Sequence, residues 1–144
     1  MALLACEEIA AQGLGLDATI GFTEPPIGGE WPADEPAFET LERSLNRIFT
    51  VSENPPFNRL YDFLGVDAMQ SRLQALGYPD ARLISRMSAP VHDNARTRAG
   101  QVRGSDGAVV FEFPERIGTL KPFPFGSAKT GRGFLSDDGQ LIDG

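Results

Sequence analysis

The chain opens on a nearly unbroken apolar run. Ala2 to Gln12 is rich in Ala, Leu and Ile with Glu7 and Glu8 at its middle, a set of strong helix formers that predicts a helix stopped by Gly13 and Gly15. The run follows Met1 with no capping Ser, Thr, Asp or Asn, and so reads as the continuation of a helix whose first turns lie elsewhere. From Leu16 to Pro36 the residues Pro25-Pro26, Gly28-Gly29, Pro32 and Pro36 interrupt every period, which predicts an extended loop crossing. Helical spacing returns over Ala37 to Thr50, with Phe38, Leu41, Leu45, Ile48 and Phe49 on one face and Glu42, Arg43 and Asn46 largely off it. Pro55 disfavours the helical conformation at the residue before it. A second helix follows from Pro56 to Leu64, closed by Gly65, and Asp67 caps a third from Ala68 to Leu76, closed by Gly77.

Beyond Gly77 the period changes. Asp80 to Met87 reads as a short extended stretch and Ser88 to Gly100 as a polar loop. Gln101 to Arg103 and Ala108 to Phe113 flank Gly104-Ser105-Asp106-Gly107 and form a β-hairpin, since Asp-Gly supplies the turn and Val109, Val110, Phe111 and Phe113 the strand propensity. Arg132 to Leu135 and Gln140 to Ile142 flank a second Asp-Gly pair, Asp138-Gly139, and form another small hairpin. The fold class expected is α+β: a core helix at 2–12, a helical lobe at 37–77 and a loop and hairpin region at 80–144, making one partial domain cut from a larger protein. The main antiparallel sheet of that protein is expected to lie outside this chain.

Composition narrows the functions. In 144 residues, 41% are hydrophobic and ten are Phe, enough apolar material for a sizeable core. The net charge of −7 gives no general attraction for phosphate backbones or anionic lipid, so nucleic acid and membrane surfaces are not expected partners. No apolar run reaches the length of about 18 residues needed for a spanning helix, and the start lacks the basic and apolar regions of a signal peptide. Cys6 and His92 are single, which excludes an internal disulfide and a Cys/His zinc cluster. Cys6 follows Leu3-Leu4-Ala5, but the reading taken is a buried helix cysteine rather than a lipid-modified one. Glu30, Asp34, Glu35 and Glu39 form an acidic set whose proline-broken spacing fits a solvated face rather than a metal site. His92 beside Asp93 is read as a loop residue rather than half of an acid/base pair.

One triplet stands out by position. Ser52-Glu53-Asn54 sits at a helix end immediately before a proline-initiated apolar helix, whereas the similar Ser44-Leu45-Asn46 lies inside a helical pattern. On the plainer reading, Ser52 and Asn54 cap the following helix. Taken with Asn58-Arg59-Leu60-Tyr61-Asp62-Phe63-Leu64-Gly65, Leu73-Gln74-Ala75-Leu76-Gly77-Tyr78 and Arg82-Leu83-Ile84-Ser85-Arg86, the triplet resembles that of the β-lactamase-like serine hydrolases, the penicillin-recognising superfamily. The resemblance is closest from Ala37 to Arg86.

The resemblance implies a β-lactamase/transpeptidase-like fold and acyl transfer through a covalent serine, with no metal or organic cofactor and a small-molecule or peptide-like acyl substrate. Ser52 would be the catalytic relay hydroxyl, Asn54 the substrate contact, and Glu53, where Asp is usual, would hold the loop. None of the eight serines is followed three residues later by Lys, so the family's Ser-x-x-Lys nucleophile is not in the chain. That motif opens the helix continued here by Ala2 to Gln12, and truncation is therefore expected, with the fragment inactive alone. Lys129-Thr130-Gly131 resembles the family's third, substrate-binding motif, but its place in a Gly-rich turn before Phe134 reads as a solvated turn. Between Met87 and Asn94 no Glu stands to activate a deacylating water, which favours an esterase, peptidase or transpeptidase-like parent over an efficient lactamase. The family setting implies a periplasmic or secreted bacterial protein. The alternative is a complete non-enzymatic binding or interaction domain.

Overall fold

In the computed structural model the residues described are 1–27, 35–79, 81–83, 85–87 and 94–119, with the backbone of Gly133–Leu135 and Leu141–Asp143. His92, Asp93, Glu30, Asp34 and the Lys129-Thr130-Gly131 segment lie outside them.

The first apolar run forms α1 (Ala2–Ala11), which buries Leu4, Ala5 and Ile9. The Leu16 to Pro36 stretch departs from its expectation, because Thr19–Gly21 is a strand, β1, at the interior of a sheet. Three residues are too few to show an alternating pattern, and the prolines and glycines around them hide it. The predicted start of the next helix is also a strand, β2 (Phe38–Thr40), and the helix proper, α2, is Leu41–Val51. Thr40 ends the strand in extended conformation and caps α2, its hydroxyl accepting the Arg43 N–H at 3.2 Å. Phe49 is 74% exposed and not on the inward face. The buried or half-buried positions of α2 are Leu41, Ser44, Leu45, Arg47 and Ile48, and Phe49 falls just beyond that stripe.

α3 (Asn54–Leu64) begins two residues ahead of its predicted start and carries Pro in its first turn. α4 (Val66–Ala75) starts at Gly65 rather than at an Asp67 cap. Asp67 lies in the first turn, and its carboxylate accepts the Thr119 N–H at 2.9 Å, tying α4 to the chain after the hairpin. Gly65 takes φ +78, and the Arg116 guanidinium crosses over it to donate to the Asp62, Phe63 and Leu64 carbonyls at 2.8, 2.6 and 3.2 Å. A Cβ at Gly65 would stand 3.0 Å from that guanidinium. Glycine thus permits both the backbone turn and the arginine cap on the helix C-terminus.

The predicted hairpin is β4 (Gly100–Arg103) and β5 (Val109–Phe113), with a register shift between Val102 and Arg103. It is not an isolated hairpin. β4 also pairs with β1, giving an antiparallel sheet in the order β2-β1-β4-β5, in which Ile20 faces Glu39 on one side and Val102 on the other. A four-stranded antiparallel sheet therefore lies inside the chain, contrary to the expectation of hairpins alone. β3 (Arg96–Thr97) and β6 (Arg116–Ile117) make a small ladder where loop was expected, and β7 (Gly133–Leu135) and β8 (Leu141–Asp143) pair as the second predicted hairpin. The described part of the Asp80 to Met87 stretch forms no strand.

The fold is α+β, as the order of helices and hairpins along the sequence leads one to expect. α3 packs against α1, α2, α4 and β3, and every residue from Arg59 to Leu64 is either part of the apolar core or a charged group sealed within it. Leu60, Tyr61, Phe63 and Leu64 join Leu4, Ile9, Ile20, Phe22, Leu41, Met69, Val102 and Phe113 in one core. Each fully buried large apolar side chain contributes about 1.5–3 kcal/mol. Phe113 stands edge-on to Phe22 and Phe63, with ring centroids 5.8 and 5.4 Å away, which fastens the sheet to α3.

Candidate functional site: the link between α2 and α3

Ser52, Glu53 and Asn54 span the joint between two helices, and each occupies a different structural position. Ser52 follows the last residue of α2 in the left-handed conformation, φ 57 and ψ 41, and is the only non-glycine residue with positive φ among those described. It is exposed to solvent. Helices end in this way usually on Gly, since a side chain there costs on the order of 1–2 kcal/mol. The turn closes through the Ser52 N–H on the Ile48 carbonyl at 3.1 Å and the Glu53 N–H on the Arg47 carbonyl at 3.3 Å. Glu53 occupies the N-cap position of α3 without a side-chain capping bond, and Asn54 is the first helical residue, half-buried. The plainer expectation, that Ser52 and Asn54 cap the following helix, does not describe this joint: Ser52 ends the preceding one.

The Glu53 carboxylate is held from α2. Its Oε2 accepts from Arg47 Nε at 2.8 Å and lies 2.5 Å from Arg47 Nη2. The third nitrogen of the same guanidinium, Nη1, reaches Glu39 Oε1 at 2.8 Å and Glu35 Oε2 at 3.1 Å. Arg47 thus bridges the exposed link and a buried pair of carboxylates, and the Glu53 hydrogen bond, ahead of the Glu39 one, raises its pKa against the opposing effect of burial.

Behind Arg47 the network goes deeper. Arg59 of α3, almost wholly buried, donates to Glu35 Oε1 at 2.7 Å, to the Ile20 and Ala37 carbonyls at 3.0 and 3.1 Å, and to the Pro36 carbonyl. Glu39 Oε2 accepts from the buried Ser44 hydroxyl at 2.8 Å. On its outer side Glu39 Oε1 meets Arg43 Nε at 3.2 Å. Glu35 and Glu39, expected on a solvated face, are therefore interior. Proline-broken spacing looked like loop, but Glu39 sits on an inward position of β2 and its charge is matched by two arginines four and eight residues along.

Reading the sequence for chemistry passes over Arg47 and Arg59, whereas it singles out Glu35 and Glu39 but assigns them to the surface. A signal existed in the four-residue spacing of Glu39, Arg43 and Arg47, which places a cation stripe beside a carboxylate; Arg59, a lone charge in an apolar helix, gave another. A shallow groove of about 360 Å³ runs along α2 from Thr40 to Val51, with Arg43 and Arg47 in its wall, and stops one residue before Ser52. Among the described residues no group of three or more His, Cys, Asp or Glu could hold a metal ion, and no helix is long and apolar enough to cross a membrane.

The profile of the family described as "Beta-lactamase enzyme family" matches residues 1–110, which take in α1, the four-stranded sheet up to its first two residues of β5, and the whole joint between α2 and α3. The chain belongs to this β-lactamase family. No curated protein and no solved structure matches it. Family membership fixes the class of fold, and the matched stretch covers all three residues of the α2–α3 joint, Ser52, Glu53 and Asn54.

Proposed function

We propose that this chain carries the proton-relay and substrate-contact segment of a serine hydrolase that transfers or hydrolyses acyl groups, the nucleophile coming from sequence outside these 144 residues. In such an enzyme the nucleophilic serine bonds to the acyl carbonyl carbon and its proton passes to the paired lysine. The Ser52 hydroxyl hands a proton on to the departing group as the acyl–leaving-group bond breaks, and Asn54 holds the substrate by its amide. Water or a second acceptor then takes the acyl group from the enzyme. Glu53 reacts with nothing and holds the link. The substrate is a small-molecule or peptide-like acyl compound, and the setting proposed with it is periplasmic or secreted.

The observation that carries this reading is Ser52 itself: an exposed hydroxyl in a left-handed turn where glycine would be less strained, between two helices of a β-lactamase-family chain. Strain of this kind persists where the surroundings over-determine it and concentrates at working sites. Glu53, with its clamp to Arg47, supplies those surroundings.

The test uses a fluorescent penicillin and a fluorophosphonate probe. The 144-residue chain is expected to remain unlabelled. In a reading frame that supplies Ser-x-x-Lys, Ser52→Ala is expected to slow acylation by about 10²–10⁴-fold, the range for loss of an acid–base group, while Lys129→Ala has a much smaller effect. Stoichiometric labelling of the 144-residue chain, or a Ser52→Ala enzyme that acylates at the unmodified rate, would overturn the reading.

A further inference from the structure

The guanidinium of Arg47 spans the distance from a sealed carboxylate pair to the exposed link, and its own backbone carbonyl accepts the Glu53 N–H. Glu53 is therefore gripped at both ends by one residue, by the main chain at 3.3 Å and by the side chain at 2.8 Å. Ser52 lies inside that loop of contacts, with no freedom to leave the left-handed region unless one of them breaks. At the other end Glu35 and Glu39 cannot shift readily, because Arg59 and the Ser44 hydroxyl fix their remaining oxygens in the core. A planar fork with several donors suits this task, and a lysine ammonium, a single point of charge, does not reproduce it.

We propose that Arg47 is a positioning residue: by tying Glu53 to the buried Glu35 and Glu39 carboxylates it holds Ser52 in the left-handed turn and so sets the direction in which the Ser52 hydroxyl and the Asn54 amide are presented. This rests on the reading of Ser52 and Asn54 as relay and substrate contact, but its backbone content is independent of activity.

Nuclear magnetic resonance on the 144-residue chain separates the two. In the unmodified protein the Ser52 Cα and Cβ shifts are expected at left-handed values, with slow exchange of the Ser52 and Glu53 amides. Glu53→Ala removes the side-chain arm of the clamp while leaving Arg47 paired with Glu35 and Glu39, so the core keeps its charge balance. Arg47→Lys keeps the charge and removes the fork. Both variants are expected to speed exchange of those two amides at least about tenfold and to move the Ser52 shifts toward random-coil values, with the thermal midpoint of the Glu53 variant changed no more than in Glu7→Gln, which weakens the pair between Glu7 of α1 and Arg72 of α4. Unchanged Ser52 shifts and exchange in both variants would overturn the proposal, as would acceleration spread evenly over all amides, which marks loss of global stability alone. If the clamp behaves as expected and Ser52→Ala leaves acylation untouched in an active reading frame, the functional reading fails while the positioning role stands.

Discussion

α3 carries two charged side chains one turn apart, Arg59 and Asp62, and each anchors a different kind of ion-pair network. Around Asp62 the network is closed. Its Oδ1 accepts from Arg86 and its Oδ2 from Arg98 at 2.7 Å, and all three side chains are at least 95% buried. The Arg98 guanidinium also lies 3.9 Å from the Phe22 ring centroid, and burial lowers its pKa even with Asp62 opposing. Around Arg59 the network is graded. Side-chain exposure rises from 1% at Arg59 through 4% at Glu35 and 14% at Arg47 to 35% at Glu53. The ion pairs of Asp62 join only side chains at most 5% exposed, while the other network ends on Glu53, next to the serine that the function proposed above requires. Buried ion pairs add little net stability over apolar residues but are costly to break, since the surviving charge has no partner. The closed network therefore acts as a core fastener and the graded one as a support for the site.

The largest effect expected from that contrast is at Asp62. Asp62→Ala leaves Arg86 and Arg98 facing each other in the interior without their shared counter-charge, and is expected to cost about 3–5 kcal/mol in denaturant unfolding. The Ser52 amide signature should persist in whatever fraction remains folded, because the graded network is untouched. A loss below about 1 kcal/mol, within the range of a surface pair, would mean that Asp62 is not the fastener its burial makes it.

A middle-sized effect tests whether the closed network is dry. The Tyr61 ring lies 5.0 Å below the Arg86 guanidinium, its hydroxyl donates to the Asn94 carbonyl at 2.9 Å, and Asp62 is its neighbour on α3. Burial pushes the phenol up to about 12, with the Asp62 charge adding to the shift and the Arg86 charge opposing it. A folded pKa raised above the ordinary value of about 10 means that the folded state keeps its proton where the unfolded state has lost it. The corresponding stability is fully present below about pH 10 and is lost as pH rises toward 12. Measured against Tyr61→Phe, the unmodified protein should therefore lose stability over that window and not below it. A Tyr61 phenolate appearing near pH 10 in the ultraviolet absorbance of the folded protein would show water in the network.

The two networks also explain which parts of the fold were legible in the sequence. The helices α1, α3 and α4 and the β4–β5 hairpin could be read because each is set by local pattern: apolar spacing, glycine ends, an Asp-Gly turn. β1 and β2 could not, since three-residue strands have no measurable period and take their identity from partners far along the chain, Thr19 with Arg103 and Ile20 with Val102. The triplet at the α2–α3 joint was visible as residue types at a helix end. Its left-handed serine and its support were not, because the support comes from Glu35 and Glu39, which approach only once β2 has paired with β1. Charges in a loop-like stretch look solvated until the cations that enclose them are known. Arg47 itself was in plain view on α2, and its spacing from Glu39 marked it as a partner for one carboxylate, but the same spacing marks the exposed Arg43 and does not tell which of the two faces three carboxylates.

The smallest effect expected lies at the outer edge of the graded network. Arg43 meets Glu39 Oε1 at 3.2 Å, but its side chain is 68% exposed, whereas Glu39 is sealed and keeps Arg47 and the Ser44 hydroxyl without it. A pair open to water on one side is screened and contributes about 0.2–1 kcal/mol, so Arg43→Ala is expected to fall at the low end of that range, and the difference from the unmodified protein should shrink further in high salt. The Ser52 and Glu53 amides should exchange at their usual rate, since no contact of the clamp passes through Arg43. If Arg43→Ala instead approached the cost of Asp62→Ala, compensation of Glu39 would depend on the surface arm, and the gradient from core to surface would not describe how this network bears its charge.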